Sequence, residues 1–175
     1  SASVMGAAIL REIVETVALF AVIFTLARMT IGNYSIIGQS MEPNYHETQR
    51  LLVDRVSPRL GWLQRGDIVI VHSPVQEDIE LIKRLIGKPG DTIELRDNRV
   101  LVNGEALDEP YLADGADSGP KGGSASWTLN DNQYFIMGDN RSFSQDSRFF
   151  GPVDETRVAG RALLMYWPFD QFSLV

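Results

Sequence analysis

The sequence predicts a mainly β domain built from hairpins and preceded by one apolar helix. Three observations carry this. Short runs of strand character follow one another from residue 50 onward, with turn signals between them. No run after Ile31 keeps a helical period. Ahead of them, residues 16–27 (TVALFAVIFTLA) are apolar without a break. A length of 175 residues fits one domain with a small annex. The expected division is an anchor helix over residues 1–32 and a β-rich body over residues 33–175.

The helix comes first. Residues 16–27 alone are too short to cross a bilayer, which takes about 20 residues. Apolar character continues on both sides, so a helix from about Met5 to Ile31 is long enough, with Arg28 reaching one interface. The competing reading is an amphipathic core or surface helix. The segment does not have the form of a secretory signal peptide, because a basic leading region and a small-residue cleavage site are both missing. The flanking charges are too few to set an orientation.

Six strands follow: residues 50–57 (RLLVDRVS), 67–72 (DIVIVH), 80–86 (ELIKRLI), 92–96 (TIELR), 99–102 (RVLV) and 133–137 (QYFIM). Asp97-Asn98 and Asn103-Gly104 each separate strand-like runs by two residues, the length and composition of tight hairpin turns. Lys88-Pro89-Gly90-Asp91 is a further turn. Residues 113–126 (ADGADSGPKGGSAS) have four glycines and no large apolar residue, which predicts a mobile surface loop. The apolar, aromatic tail from Arg161 to Val175 is expected to add a last strand to the core.

Composition narrows the chemistry. There is no cysteine, which removes disulfides, thiolate zinc sites and a cysteine nucleophile. His46 and His72 are the only histidines, so a three-histidine metal site is excluded. A net charge of −7 gives no electrostatic basis for nucleic-acid binding. No metal or other cofactor is expected.

Of the 16 basic residues only Lys83, Lys88 and Lys121 are lysines. Lys88 falls in a turn and Lys121 in the Gly-rich loop. Lys83 falls inside a strand, where alternation puts it on the face of Leu81 and Leu85. An ammonium between two leucines is poorly solvated, and desolvation lowers its pKa toward that of a general base. Taken alone, a strand lysine such as Lys83 is more often an edge-strand residue that snorkels. A base needs a nucleophile, and Ser40 is the candidate in Gly38-Gln39-Ser40-Met41-Glu42-Pro43. It follows a short strand, read as reaching Gly38–Ser40, and enters a turn stiffened by Pro43. A serine on such a corner presents its hydroxyl outward with its own N–H nearby. Alone, it is also an ordinary turn residue. A third cluster, residues 137–148 (MGDNRSFSQDSR), packs short polar groups behind an apolar strand. It reads either as a hydrogen-bonded loop in which Asp146 pairs with Arg148, or as a loop that orients the lysine through Ser144.

Together these clusters resemble the type I signal peptidases, membrane-anchored serine proteases with a Ser/Lys dyad. The order is an apolar anchor, Ser40-Met41-x-Pro43, Gly66-Asp67-Ile68-Val69, Lys83-Arg84-x-Ile86-Gly87-x-Pro89-Gly90-Asp91, Gly138-Asp139-Asn140-Arg141, and Ser144-x-Asp146-Ser147-Arg148. Val102-Asn103-Gly104 and Glu109-Pro110-Tyr111-Leu112 also match. The resemblance implies the signal-peptidase and LexA-like β fold, with Ser40 as nucleophile, Lys83 as general base and Ser144 holding the lysine amine. Asp146 and Arg148 would form a supporting ion pair, and Arg84 a structural contact outside the dyad. The oxyanion would bind the Ser40 N–H. Gly38 stands where one branch of the family has a second, hydroxyl donor. Asn44-Tyr45 and Ser142-Phe143 depart from the family pattern without touching the dyad.

The implied activity is removal of signal peptides from secreted preproteins after an Ala-x-Ala site. The implied partners are those precursors and a lipid bilayer, with no nucleic acid. The implied location is the plasma membrane, single-pass, with the catalytic domain outside. Three alternative readings of the residues remain open. One is a soluble, self-cleaving Ser/Lys protease of the repressor type, which would carry a different module before the β body. Another is a tethered β domain without activity. The last is a hydrolase using His46 or His72.

Overall fold

The computed structural model describes residues 2–175, with side chains from residue 5 onward. Ser1, the first residue of the expected anchor, lies outside the described residues. Helix α1 (Ala2–Thr30) leads into β1 (Ile31–Ser35). Then come β2 (Arg50–Asp54), β3 (Ile68–His72), β4 (Glu80–Gly87), β5 (Thr92–Arg96), β6 (Arg99–Val102), β7 (Glu105–Ala106), β8 (Ser126–Thr128) and β9 (Gln133–Met137). A one-turn helix α2 (Ser147–Phe150), β10 (Val153–Asp154), β11 (Val158–Trp167) and β12 (Ser173–Leu174) complete the chain.

The body is mainly β, as its hairpin pattern requires. One eight-stranded sheet runs β1-β2-β11-β3-β4-β9-β10, with β12 added to β11. A second sheet of four runs β7-β6-β5-β8. Neighbours pair antiparallel throughout. The turn between β5 and β6 has positive φ at Asp97 (52°) and Asn98 (59°), and that between β6 and β7 at Asn103 (55°) and Gly104 (85°). These are the two-residue turns whose twist matches a hairpin.

Apolar burial falls into three clusters, and β4 supplies all of them: Ile82 to the first, Leu85 to the second, Ile86 to the third. The strand is buried at Ile82, Lys83 and from Leu85 to Gly87, while Glu80 at its start is exposed. A polar residue at one of the buried positions, as Lys83 is, is desolvated by its neighbours.

The structure departs from the sequence reading in definite places. The short strand expected just before Ser40 lies earlier, as β1: α1 ends at Thr30 and β1 starts at once and stops at Ser35. Strand β2 stops at Asp54 rather than at residue 57, because the Asp54 carboxylate accepts from the N–H groups of Val56 (2.7 Å) and Ser57 (3.2 Å). Residues 36–40 are not a strand; Gly38 at φ +82° turns the chain out of the sheet. The tail is β11, a 3-10 turn at Phe169–Gln171 and β12, not one strand. The Gly-rich loop holds a buried anchor in its middle, Ser118, whose N–H donates to Asn98 Oδ1 (2.7 Å). Its last residue, Ser126, opens β8.

Among the described residues no helix is long and apolar enough to cross a membrane. Helix α1 does expose apolar side chains at successive positions, including Phe20 (74%), Val22 (56%), Ile23 (57%) and Phe24 (59%). At 100° per residue these point to every side of the helix, so it is not an amphipathic helix with its apolar stripe turned to the body.

Candidate active site

Ser40 and Lys83 lie 43 positions apart in the chain, and the Lys83 Nζ donates to Ser40 Oγ over 2.7 Å. The second acceptor of Nζ is the Ile82 carbonyl, at 2.9 Å. Both acceptors are neutral. Lys83 is 2% exposed, and burial among the core clusters pushes its pKa down to about 8, against a smaller pull upward from the Asp146 and Asp139 carboxylates. A cation so placed is held without a direct counter-charge, and its neutral form is accessible near neutral pH.

Ser40 sits at the head of a turn that two asparagines clamp. The Asn140 N–H donates to the Ser40 carbonyl (3.0 Å), and the Asn140 amide donates to the Gln39 carbonyl (3.0 Å). At the far end, Asn44 Nδ2 donates to the Tyr111 carbonyl (2.7 Å) and to Asp139 Oδ2 (2.8 Å). Met41, fully buried in the first core cluster, nails down the turn between them. Gly38, expected to border the nucleophile, has its N–H facing Glu47 Oε1 at 3.4 Å. Asn44 is one of the family departures, and here it carries two hydrogen bonds. Phe143, another, is 75% exposed and free of the core.

Gly138 permits the close approach of the third cluster. A Cβ at this position would overlap both Ser144 Oγ and the Ser40 carbonyl oxygen. Ser144 is thereby brought to the Ser40 turn, but its hydroxyl is buried without a hydrogen-bond partner. The expected bond to Lys83 is not formed, since Nζ is directed at Ser40 and the Ile82 carbonyl.

Three ion pairs frame the site. Arg84 binds Asp139 through two bonds of 2.8 and 2.6 Å, donates to the Gly66 carbonyl (3.0 Å) and lies 3.9 Å over the Tyr111 ring. Asp146 accepts from Arg148 Nε (2.9 Å) and Nη2 (3.0 Å), and from the Gly138 N–H (3.1 Å). Both side chains of that pair are completely buried. Arg141 pairs with Glu109 and also binds Ser118. Arg148 reaches the Asp117 carbonyl (2.8 Å), which ties the Gly-rich loop to the floor of the site.

A cleft of ≈ 600 Å³ opens from the dyad along β4, walled by Tyr34, Ile37, Ile79 and Ile82 and ending at Glu77 and Asp78. Tyr34 closes one side by donating to the Glu80 carbonyl (3.1 Å). His72 borders the cleft but faces Glu80 at 3.7 Å, and His46 faces Glu42 at 3.6 Å; neither contacts Ser40. Among the described residues no cluster of histidine and carboxylate side chains could hold a metal ion.

Sequence reasoning had named Ser40, Lys83, Arg84, Asp146 and Arg148, and the fold gathers all of them around one spot. It did not single out Asn44, Asp139 or Asn140 as site residues. Their signal was the dense polar run after β9 and the unusual residue after Pro43.

Comparison with known proteins places this arrangement. Residues 9–167 match the family model described as signal peptidase, peptidase S26. Signal peptidase IB of Staphylococcus aureus (strain COL) is 32% identical over 183 aligned residues, covering 94% of this chain and 93% of that protein. Signal peptidase I of Bacillus licheniformis is 37% identical over 145 residues, covering 79% and 77%. A crystal structure of a signal peptidase I from Enterococcus faecalis aligns with a TM-score of 0.48 and 34% identity over 57% of this chain and 95% of that one. With the match spanning Ser40, Lys83 and the loop behind them, this chain belongs to the signal peptidase family, peptidase S26, as a type I signal peptidase and serine endopeptidase.

Proposed function

We propose that Ser40 is the nucleophile and Lys83 the general base of a reaction that releases signal peptides from preproteins after an Ala-x-Ala site. The observation that carries this is a buried lysine with depressed pKa, 2.7 Å from a serine hydroxyl. Neutral Lys83 takes the Ser40 proton as the hydroxyl oxygen attacks the scissile carbonyl. The oxyanion binds the Ser40 N–H. Collapse of the tetrahedral intermediate breaks the C–N bond, and Lys83 delivers its proton to the leaving amine. The acyl-enzyme is then hydrolysed by a water that Lys83 deprotonates.

Strand β9 pairs with β4 only from Arg84 onward. The stretch from Glu80 to Lys83 therefore keeps an edge beside the cleft, suited to adding the extended substrate as a strand. The apolar walls fit small side chains. Ser144, Asp146 and Arg148 serve as support: the ion pair holds the Gly138 N–H, and Gly138 holds the nucleophile turn.

We also propose that α1 anchors the domain to the lipid bilayer as a single-pass segment of the plasma membrane, with the catalytic body on the extracytoplasmic side. The support is the set of apolar side chains that α1 exposes on every face, with none of them turned into the core of the body.

The test is cleavage of a purified precursor with an Ala-x-Ala site by wild type, Ser40→Ala and Lys83→Met in detergent. The expected result is cutting by wild type at that site and none by two folded variants. Full-rate cutting by Lys83→Met would sink the mechanism.

A further inference from the structure

We infer that the junction of α1 and β1 is a headgroup site, in which Arg28 and Arg55 bind the phosphodiester of an anionic lipid. The inference rests on the reading of α1 as a lipid anchor. A pocket of ≈ 410 Å³ opens at this junction, lined by Phe24, Ala27, Ile31 and Gly32 together with the two arginines. No carboxylate lines it. In a chain of net charge −7 this is a local excess of positive charge facing a wall of apolar side chains. Such a combination suits a molecule with a charged phosphate and an apolar body.

The two arginines arrive from different elements. Arg28 is in the last turn of α1, where it also lies 5.8 Å over the Phe24 ring. That position complements the helix dipole and would explain one charge without any ligand. Arg55 needs another reason. It follows β2, and its N–H donates to the carbonyl of Thr30, the last residue of α1, over 2.9 Å. Its guanidinium lies flat across Gly32: a Cβ there would come within 2.6 Å of Nε. A residue with no side chain thus leaves room for a cation at the end of the helix, where an anchored segment meets the headgroup layer. Among the described residues neither guanidinium is in an ion pair. Arg59 does not share the pocket; it lines a neighbouring depression, which Arg55 also borders, with Glu80 and Glu155.

The experiment uses the full chain in neutral detergent micelles doped with equal amounts of phosphatidylglycerol and phosphatidylcholine. Native mass spectrometry counts the lipids retained. A cation near an anionic lipid surface favours it by about fivefold. Wild type is therefore expected to retain phosphatidylglycerol over phosphatidylcholine by at least tenfold, with Arg55→Gln about fivefold lower and Arg28→Gln/Arg55→Gln near parity. Cleavage of a soluble peptide is expected to stay unchanged in both variants, which shows that they are folded. Parity in wild type, or an undiminished preference in the double variant, overturns the site. Displacement of phosphatidylglycerol by millimolar inorganic phosphate overturns the lipid as occupant and leaves a free-anion pocket. Flotation with phosphatidylcholine vesicles reports on the anchor separately. Failure to float breaks the anchor reading, whereas flotation with no lipid preference breaks only the headgroup site.

Discussion

Two buried cations stand behind the same turn and do opposite things. Arg148 is met by Asp146 through two short bonds, and by the carbonyls of Arg141 and Asp117 besides. Lys83 is met by a hydroxyl and a carbonyl, both neutral. The cost of desolvating Arg148 is offset by the carboxylate and the carbonyls around it. Lys83 gains little from being charged where it is, so its proton is loosely held. One arrangement fixes a loop; the other leaves an amine that gives up its proton readily. The difference lies in the partners, since both side chains are equally hidden from water.

Four measurements break or sharpen this contrast. The largest effect is expected from Lys83→Arg, which keeps the charge but cannot release a proton at any accessible pH. It should lose about 10⁴-fold or more in kcat, matching Lys83→Met, when cleavage of an Ala-x-Ala precursor is followed. Substantial activity would show that the cation alone suffices.

Next comes Asp146→Ala, which leaves Arg148 buried and unpaired. Urea unfolding should show a loss of about 3–5 kcal/mol. The double variant Asp146→Ala/Arg148→Met should recover part of it, because the orphaned charge is gone.

Removing Lys83 should act in the opposite direction. Its folded pKa of about 8 lies below the ordinary value of 10.5, so the unfolded chain binds more protons between these limits. Stability contributed by this group rises as pH increases from 8 to 10.5, and below pH 8 the full penalty applies. Lys83→Met should thus be more stable than wild type at pH 7, by about 3 kcal/mol at most, and should lose the rise at alkaline pH. Equal stability of the two at pH 7 would mean that the lysine is better solvated than its burial implies.

The smallest effect is in the pH–rate profile. Activity requires neutral Lys83, so kcat/KM should climb tenfold per pH unit and level off above about pH 8. In Asp139→Asn the removal of one negative neighbour should shift this limb to lower pH. A limb that stays in place would remove Asp139 from the electrostatics of the base.

How much of this was legible beforehand depends on the range of each interaction. The hairpins were readable because Asp97-Asn98 and Asn103-Gly104 are adjacent residues whose own backbone preference makes the turn. Strands β3 to β6 were readable from runs of four to eight residues. The end of β2 was not, because it depends on where the Asp54 carboxylate finds its donors. The Gly-rich loop reads as featureless by composition, yet Arg148, Arg141 and Asn98 reach it from other parts of the chain. Asn44 looked like a departure from pattern and is a bridge, which only the position of Tyr111 and Asp139 reveals.

The mainly β body, the apolar helix ahead of it, and the ordered set of serine, lysine and polar loop that marks the family are readable from the chain alone. Those are local patterns, written in neighbouring residues. It took the packing of distant segments to bring Ser40 and Lys83 together, to bury Lys83 and to leave the Ser144 hydroxyl without a hydrogen bond to it. Those depend on β4 serving all three core clusters and on Gly138 admitting a second loop against the nucleophile turn. Desolvation is set by everything packed around a group, so no stretch of chain carries it alone.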